Sequence, residues 1–142
     1  MANLSKRSLE ALEGVHPSLV QLMKSAIVDT PQDFTIVEGV RTTKRQQELY
    51  AQGRTKPGKI VTYADGIIKK SNHQVKSDGF GYAVDLYPYF GGKVQVDHPD
   101  VPKKLKQIAD HIKAKAKCMN INLIWGGDWK KPVDAPHFEI KK

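Results

Sequence analysis

The chain has 142 residues, 39% of them hydrophobic, enough to bury one core and too few for two ordinary domains. Its 23 Lys and Arg against 15 Asp and Glu leave a formal charge of +8, which favours polyanionic partners such as nucleic acid, anionic lipid or anionic cell wall without choosing among them. A single cysteine, Cys118, excludes an intramolecular disulfide and a thiolate metal cluster, so any metal site must draw on histidine and carboxylate.

The opening Met1-Ala2-Asn3-Leu4-Ser5-Lys6-Arg7 is polar and no continuous apolar stretch follows it, so no secretory signal is visible. No segment approaches the roughly 20 apolar residues of a membrane helix. A protein that starts soluble in the cytoplasm is expected. Residues 5–12 read as a short helix ended by Gly14. Pro17 suits a first helical position, and Leu19, Leu22, Met23, Ala26 and Ile27 follow at helical spacing, which predicts a helix over 17–28 with one apolar face. After the turn Asp29-Thr30-Pro31-Gln32, the β-branched and aromatic run 34–40 predicts a strand with Arg41 at its end. Thr43 and Gln46 have capping-box spacing and Gly53 can close a C-terminus, so 44–52 reads as a helix.

Residues 54–70 read as a loop with a short strand at 60–63. A strand is predicted at 82–86, and Gly91-Gly92 before 93–96 suggests a hairpin arm. A long helix over 102–119 turns Leu105, Ile108, Ala109 and Ile112 inward and leaves a run of lysines on a solvated face. Cys118, near its end, reads as a small buried hydrophobe. Strands at 123–125 and 137–140 complete an α+β architecture. One domain over 1–142 is expected, with a small antiparallel sheet flanked by helices.

Five histidines occur, at 16, 73, 98, 111 and 137, and their neighbours must decide which of them carry chemistry. His73 lies in Ser71-Asn72-His73, upstream of Gly81-Tyr82-Ala83-Val84-Asp85. His137 lies in Asp134-Ala135-Pro136-His137-Phe138-Glu139, after Trp125-Gly126-Gly127-Asp128-Trp129. His16 and His111 have no such support.

Together these segments resemble the zinc peptidases that include the D-alanyl-D-alanine carboxypeptidases and dipeptidases and the L-alanyl-D-glutamate endopeptidases of phage lysins. That group carries Ser-x-His, Gly-x-Ala-x-Asp and a C-terminal acidic-x-x-His, and the resemblance spans roughly residues 34–140. It implies one zinc ion per chain held by His73, Asp85 and His137, with Asp134 as the catalytic acidic residue and Arg41 as the substrate-polarising arginine. The chain departs from the pattern in one place: seven residues, 74–80, separate His73 from Gly81, where relatives commonly have two. Those residues admit Asp78 as a rival ligand; Asp85 is preferred because it completes Gly-x-Ala-x-Asp on a predicted strand.

Two imidazoles and one carboxylate leave an open position for water, the arrangement of catalytic rather than structural zinc. Asp134, three residues before a ligand, can move the proton, or it can simply shape the turn before Ala135-Pro136. Arg41 can meet a developing oxyanion or pair with Glu38 or Glu48. Glu139 shares strand parity with His137, as a partner of that histidine or a rival base. Ser71 and Trp129 are candidate substrate contacts, whereas Trp125 and the tyrosines at 82, 87 and 89 read as packing.

The resemblance implies a peptidoglycan hydrolase, a phage or prophage endolysin cutting the L-alanyl-D-glutamate bond, monomeric and released from the host cytoplasm to the wall by a separate pore-forming protein. The alternatives are a D-alanyl-D-alanine carboxypeptidase or dipeptidase, and a non-catalytic zinc-containing module of the kind seen in hedgehog signalling domains. No helix-turn-helix, zinc-finger or RNA-sheet signature supports specific nucleic-acid binding. The positive charge has a simpler use, drawing the protein to an anionic envelope.

Overall fold

The computed structural model describes residues 3–130 and 133–141. Helix α1 (Lys6–Ala11) is capped by Ser5, whose hydroxyl accepts the Ser8 amide at 3.1 Å. Ser8 is itself buried, and its Oγ accepts the Ile36 amide at 2.9 Å, fastening α1 to strand β1 (Phe34–Glu38). Helix α2 (Pro17–Val28) starts on Pro17, with His16 Nδ1 accepting the Ser18 amide, and buries Leu19, Leu22, Met23, Ala26 and Ile27 as its spacing predicts.

Helix α3 (Thr43–Ala51) is capped by Thr42, whose Oγ1 accepts the Arg45 amide at 3.1 Å. The predicted Thr43–Gln46 capping box does not form, because the Gln46 side chain turns inward and is fully buried. Strand β2 (Ala83–Phe90) runs four residues past its predicted end and hairpins into β3 (Lys93–Val94), an arm of two residues rather than four. Helix α4 (Val101–Cys118) packs against both α2 and β2 through Leu105, Ile108, Ala109 and Ile112. Cys118 is exposed, not buried, because it falls two residues past Ala116 and so off the inward stripe. Strand β4 (Leu123–Trp125), a 3₁₀ turn (Gly126–Asp128) and β5 (His137–Ile140) complete the fold. Residues 60–63 form no strand. Among the described residues no helix is long and apolar enough to cross a membrane.

The sheet runs β1-β2-β5-β4, every pair antiparallel, with β3 on the far end of β2. One face closes on the helices: Val84, Leu86, Phe138 and Ile140 all belong to the hydrophobic core. Alternation sends Asp85, Tyr87, His137 and Glu139 to the other face, where they line a cleft. Asp85 and His137 sit directly opposite each other across β2 and β5, the closest placement two strands can give a pair of side chains. Strict alternation would put Glu38 on the core side with Phe34 and Ile36. A register shift between Ile36 and Glu38 instead sets Glu38 opposite Asp85, on the cleft face.

Candidate active site

The site sits on the polar face of β2 and β5 and is closed by two short loops. One follows β1. The His73 ring donates from Nδ1 to the Gly39 carbonyl at 2.8 Å, and the His73 carbonyl accepts the Arg41 amide at 2.8 Å. A Cβ on residue 39 would overlap the Ala11 carbonyl oxygen, so only glycine brings this chain segment close enough to take the bond. Strand β1 stops before its predicted end at this same point. The other loop precedes β5, where the Gly126 carbonyl accepts the Asp134 amide at 2.9 Å and the Asp134 carbonyl accepts the His137 amide at 3.0 Å. A side chain on residue 126 would collide with the Asp134 backbone.

His73 Nε2, His137 Nδ1 and an Asp85 carboxylate oxygen lie within 4.8 Å of one another. His73 Nε2 is 3.3 Å and His137 Nδ1 3.4 Å from Asp85 Oδ1, and the two nitrogens are 3.1 Å apart. Each ring's other nitrogen is committed. His73 donates to Gly39, and His137 Nε2 donates to Glu139 Oε1 at 2.7 Å. Those bonds fix the tautomers so that the facing nitrogens carry lone pairs. Asp85 Oδ1 is buried without a hydrogen-bond partner among the described residues. Three converging lone pairs, one on an orphaned anionic oxygen, require a proton or a cation between them.

Asp134 stands beside this group, its Oδ2 3.8 Å from His137 Nδ1. Burial, and then the negative charge of Asp85, push its carboxyl above the usual carboxylate range. Burial also acts to raise Asp85, but the His73 and His137 rings outweigh it and hold Asp85 well below that range. His137 is pushed down by burial and pulled up more strongly by Asp85 and Glu139, to about 9.

Arg41 is buried and engaged on several sides. Nε and Nη2 grip Glu38 at 2.9 and 3.1 Å, Nη1 donates to Gln46 Oε1 at 2.7 Å, and Nη2 reaches Asp85 Oδ2 at 3.4 Å. Four of its five N–H groups are thus committed: the expected salt bridge is made, to Glu38 and not to Glu48, and the guanidinium also braces the carboxylate of Asp85, a contact the sequence does not announce.

Glu139 is 7% exposed and is bound on both oxygens, by His137 and by Asn72 Nδ2 at 2.6 Å. It therefore stands as the partner of His137 rather than as a free base. Asp78 lies outside the central group, accepting from the Phe80 amide and the Tyr82 hydroxyl. Ser71 accepts the His73 amide at 3.2 Å and also lines the cleft. Trp129 lines it too, its ring 4.9 Å from that of His137. Tyr87, read as packing, does pack against the core, and half-buried it also lines the cleft wall. Trp125 is core, as expected, with its indole donating to the Ala135 carbonyl. Gln46 and Asn72 went unrecognised in the sequence; an inward-facing glutamine on a polar helix carries no motif that would have exposed it.

The cleft holds about 460 Å³. A His–Asp–His group with a second carboxylate beside it, on the floor of a peptide-sized groove, defines the class: a small α+β hydrolase with a group able to hold a metal. The whole chain, residues 1–142, matches the family model of the phage L-alanyl-D-glutamate peptidases, and the protein belongs to that family. It is 36% identical over 131 residues to the peptidoglycan L-alanyl-D-glutamate endopeptidase CwlK of Bacillus subtilis (strain 168), covering 89% of this chain and 73% of that one. To the L-alanyl-D-glutamate peptidase of Escherichia phage T5 it is 29% identical over 140 residues, 96% of this chain and 88% of the phage protein. The crystal structure of the Serratia marcescens L-Ala D-Glu endopeptidase ChiX superposes with a TM-score of 0.74 at 29% identity, covering 98% of this chain and 90% of ChiX.

Proposed function

We propose that this peptidase cuts the L-alanyl-D-glutamate bond of peptidoglycan stem peptides with one zinc ion held by His73 Nε2, His137 Nδ1 and Asp85. The observation that carries the reading is the convergence of two fixed imidazole lone pairs on the orphaned Asp85 Oδ1. Nitrogen and oxygen donors without thiolate suit zinc, and three protein ligands leave a position open. Bound there, zinc would supply Lewis acidity toward a carbonyl oxygen and acidify water near neutral pH.

The chain's own residues supply the rest. Asp134, its carboxyl raised by burial and by the negative charge of Asp85, accepts a proton and passes it to the departing D-glutamate amine. Arg41 holds Asp85 in place and keeps one N–H, on Nη1, for a substrate oxygen. Glu139 fixes the His137 ring, and Ser71 and Trp129 border the bound peptide. The monomer works as a phage or prophage endolysin, reaching the wall from the host cytoplasm at lysis, and its charge of +8 draws it to the anionic envelope, an attraction that salt screens.

The test is incubation with purified peptidoglycan, with and without chelator, followed by mass analysis of the fragments. Whole stems released after L-alanine, only when zinc is present, are expected. Stems trimmed by one terminal residue would instead identify a D-alanyl-D-alanine carboxypeptidase.

A further inference from the structure

The cleft is lined by four acids, Glu38, Asp85, Asp134 and Glu139, and by three permanent cations, Arg41, Lys69 and Lys70. Arg41 is neutralised by Glu38 and Asp85. Lys69 and Lys70 have no carboxylate or hydrogen-bonding partner for their ammonium groups among the described residues. Lys76, the next cation along the chain, is tied to Asn72 Oδ1 at 2.8 Å and lines a neighbouring cavity instead.

The segment that presents the two lysines is held in place. Asp65 Oδ1 accepts the amides of Ile67, Ile68 and Lys69 at 2.9 to 3.0 Å, and the Lys69 carbonyl accepts the Gly66 amide at 3.0 Å. Gln74, 4% exposed, clamps the segment from behind. Its Nε2 donates to the Gly66 carbonyl at 3.0 Å, and its Oε1 accepts the Ser71 amide at 2.8 Å. Gln74, the first residue of the segment between His73 and Gly81, is therefore spent on fixing where Lys69 and Lys70 stand.

The substrate supplies the matching charge. D-glutamate has two carboxyl groups and only one can carry the rest of a stem. The other remains as a carboxylate, or as a carboxamide where it is modified, on the very residue whose amine is released. We infer that Lys69 and Lys70 form a carboxylate subsite of the cleft, reading the free acid of the D-glutamate residue. The inference rests on the peptidase reading above and deepens it.

Two synthetic stem peptides, identical except that the free D-glutamate carboxylate, the one that does not carry the rest of the stem, is a carboxamide in one, separate the possibilities. The zinc-loaded wild type should show the lower KM for the acid. The Lys69→Met/Lys70→Met double variant should raise KM for the acid stem about fivefold, as an exposed ion pair allows, with kcat and the amide stem unchanged. Lys103→Met/Lys117→Met, which removes the same charge from the exposed face of α4, should leave both stems unaffected. Equal KM values for the two stems in the wild type, or equal losses on both in the double variant, would overturn the subsite alone. Failure of the zinc-loaded wild type to cut either stem would overturn the peptidase reading and the subsite with it.

Discussion

The floor and the wall of the cleft are built by different means. The floor is strand: Asp85 and His137 face each other in register across β2 and β5, and alternation alone decides that they point away from the core. The wall, residues 61–71, has no strand, and side chains reaching its backbone hold it. Gln46 donates to Thr62 Oγ1 and the Ala64 carbonyl, Asp65 gathers three amides, and Gln74 clamps Gly66 and Ser71. Ladder bonds support one another, so the floor can hold a ligand set rigidly. A wall held by a few named side chains is easier to reshape, and that is where substrate preference can be adjusted without disturbing the chemistry.

Breaking the floor should have the largest effect. Asp85→Ala, His73→Ala or His137→Ala leaves two ligands where three are needed, so zinc content measured on the purified protein should fall and cleavage should vanish. Full zinc loading in the Asp85→Ala protein would refute the ligand assignment.

Next comes Asp134→Asn. The amide keeps the shape and cannot accept a proton at neutral pH, so turnover should fall by on the order of 10²- to 10⁴-fold with zinc content and melting temperature retained. Glu139→Gln, assayed on the same peptidoglycan, should be the less damaged of the two; the reverse order would move the base to Glu139.

Glu139 has a separate, smaller effect on metal affinity. Zinc must displace the proton that His137 holds below about 9, so affinity should weaken as pH falls from that value. By the same linkage, the protonated ring stabilises the metal-free fold fully below about 6.5, and that contribution is lost as pH rises through about 9. Removing the Glu139 charge should lower the His137 pKa, shifting the pH dependence of zinc uptake downward. It should also weaken affinity at high pH by about 10- to 100-fold, because the ring loses its partner. Zinc competition titrations across pH read both effects, and a pH dependence identical to wild type would refute the linkage.

The mildest break joins the two regions. Gln46→Met strands one Arg41 donor and the Ala64 carbonyl, at a cost of about 1 to 3 kcal/mol in stability. The wall should loosen while the zinc ligands stay, so KM for stem peptide should rise by more than kcat falls. Equal changes in both would show that Gln46 serves the floor alone.

The same division governed what could be read in advance. The floor was legible because three short motifs, through their resemblance to a zinc-peptidase signature, put His73, Asp85, Asp134 and His137 in view. Glu38 reaches the cleft only through a bulge that interrupts the period, which no alternation rule anticipates. The wall was opaque for a related reason. Residues 60–63 have the composition of a strand but no strand beside them, and the glutamines that do hold the wall look like ordinary helix and loop residues. Gln46 was assigned to a helix cap and proved to be a buried bridge between Arg41 and the wall.

In the order β1-β2-β5-β4, the last described strand in sequence lies between two made earlier. A growing chain therefore has a gap in its sheet until β5 enters it. The same insertion delivers His137, sets Glu139 behind it and brings Asp134 alongside. Completion of the sheet and assembly of the His73–Asp85–His137 group arrive in a single event, so a partly synthesised or interrupted chain lacks that group. For a member of a peptidase family, such latency during synthesis is built into strand order.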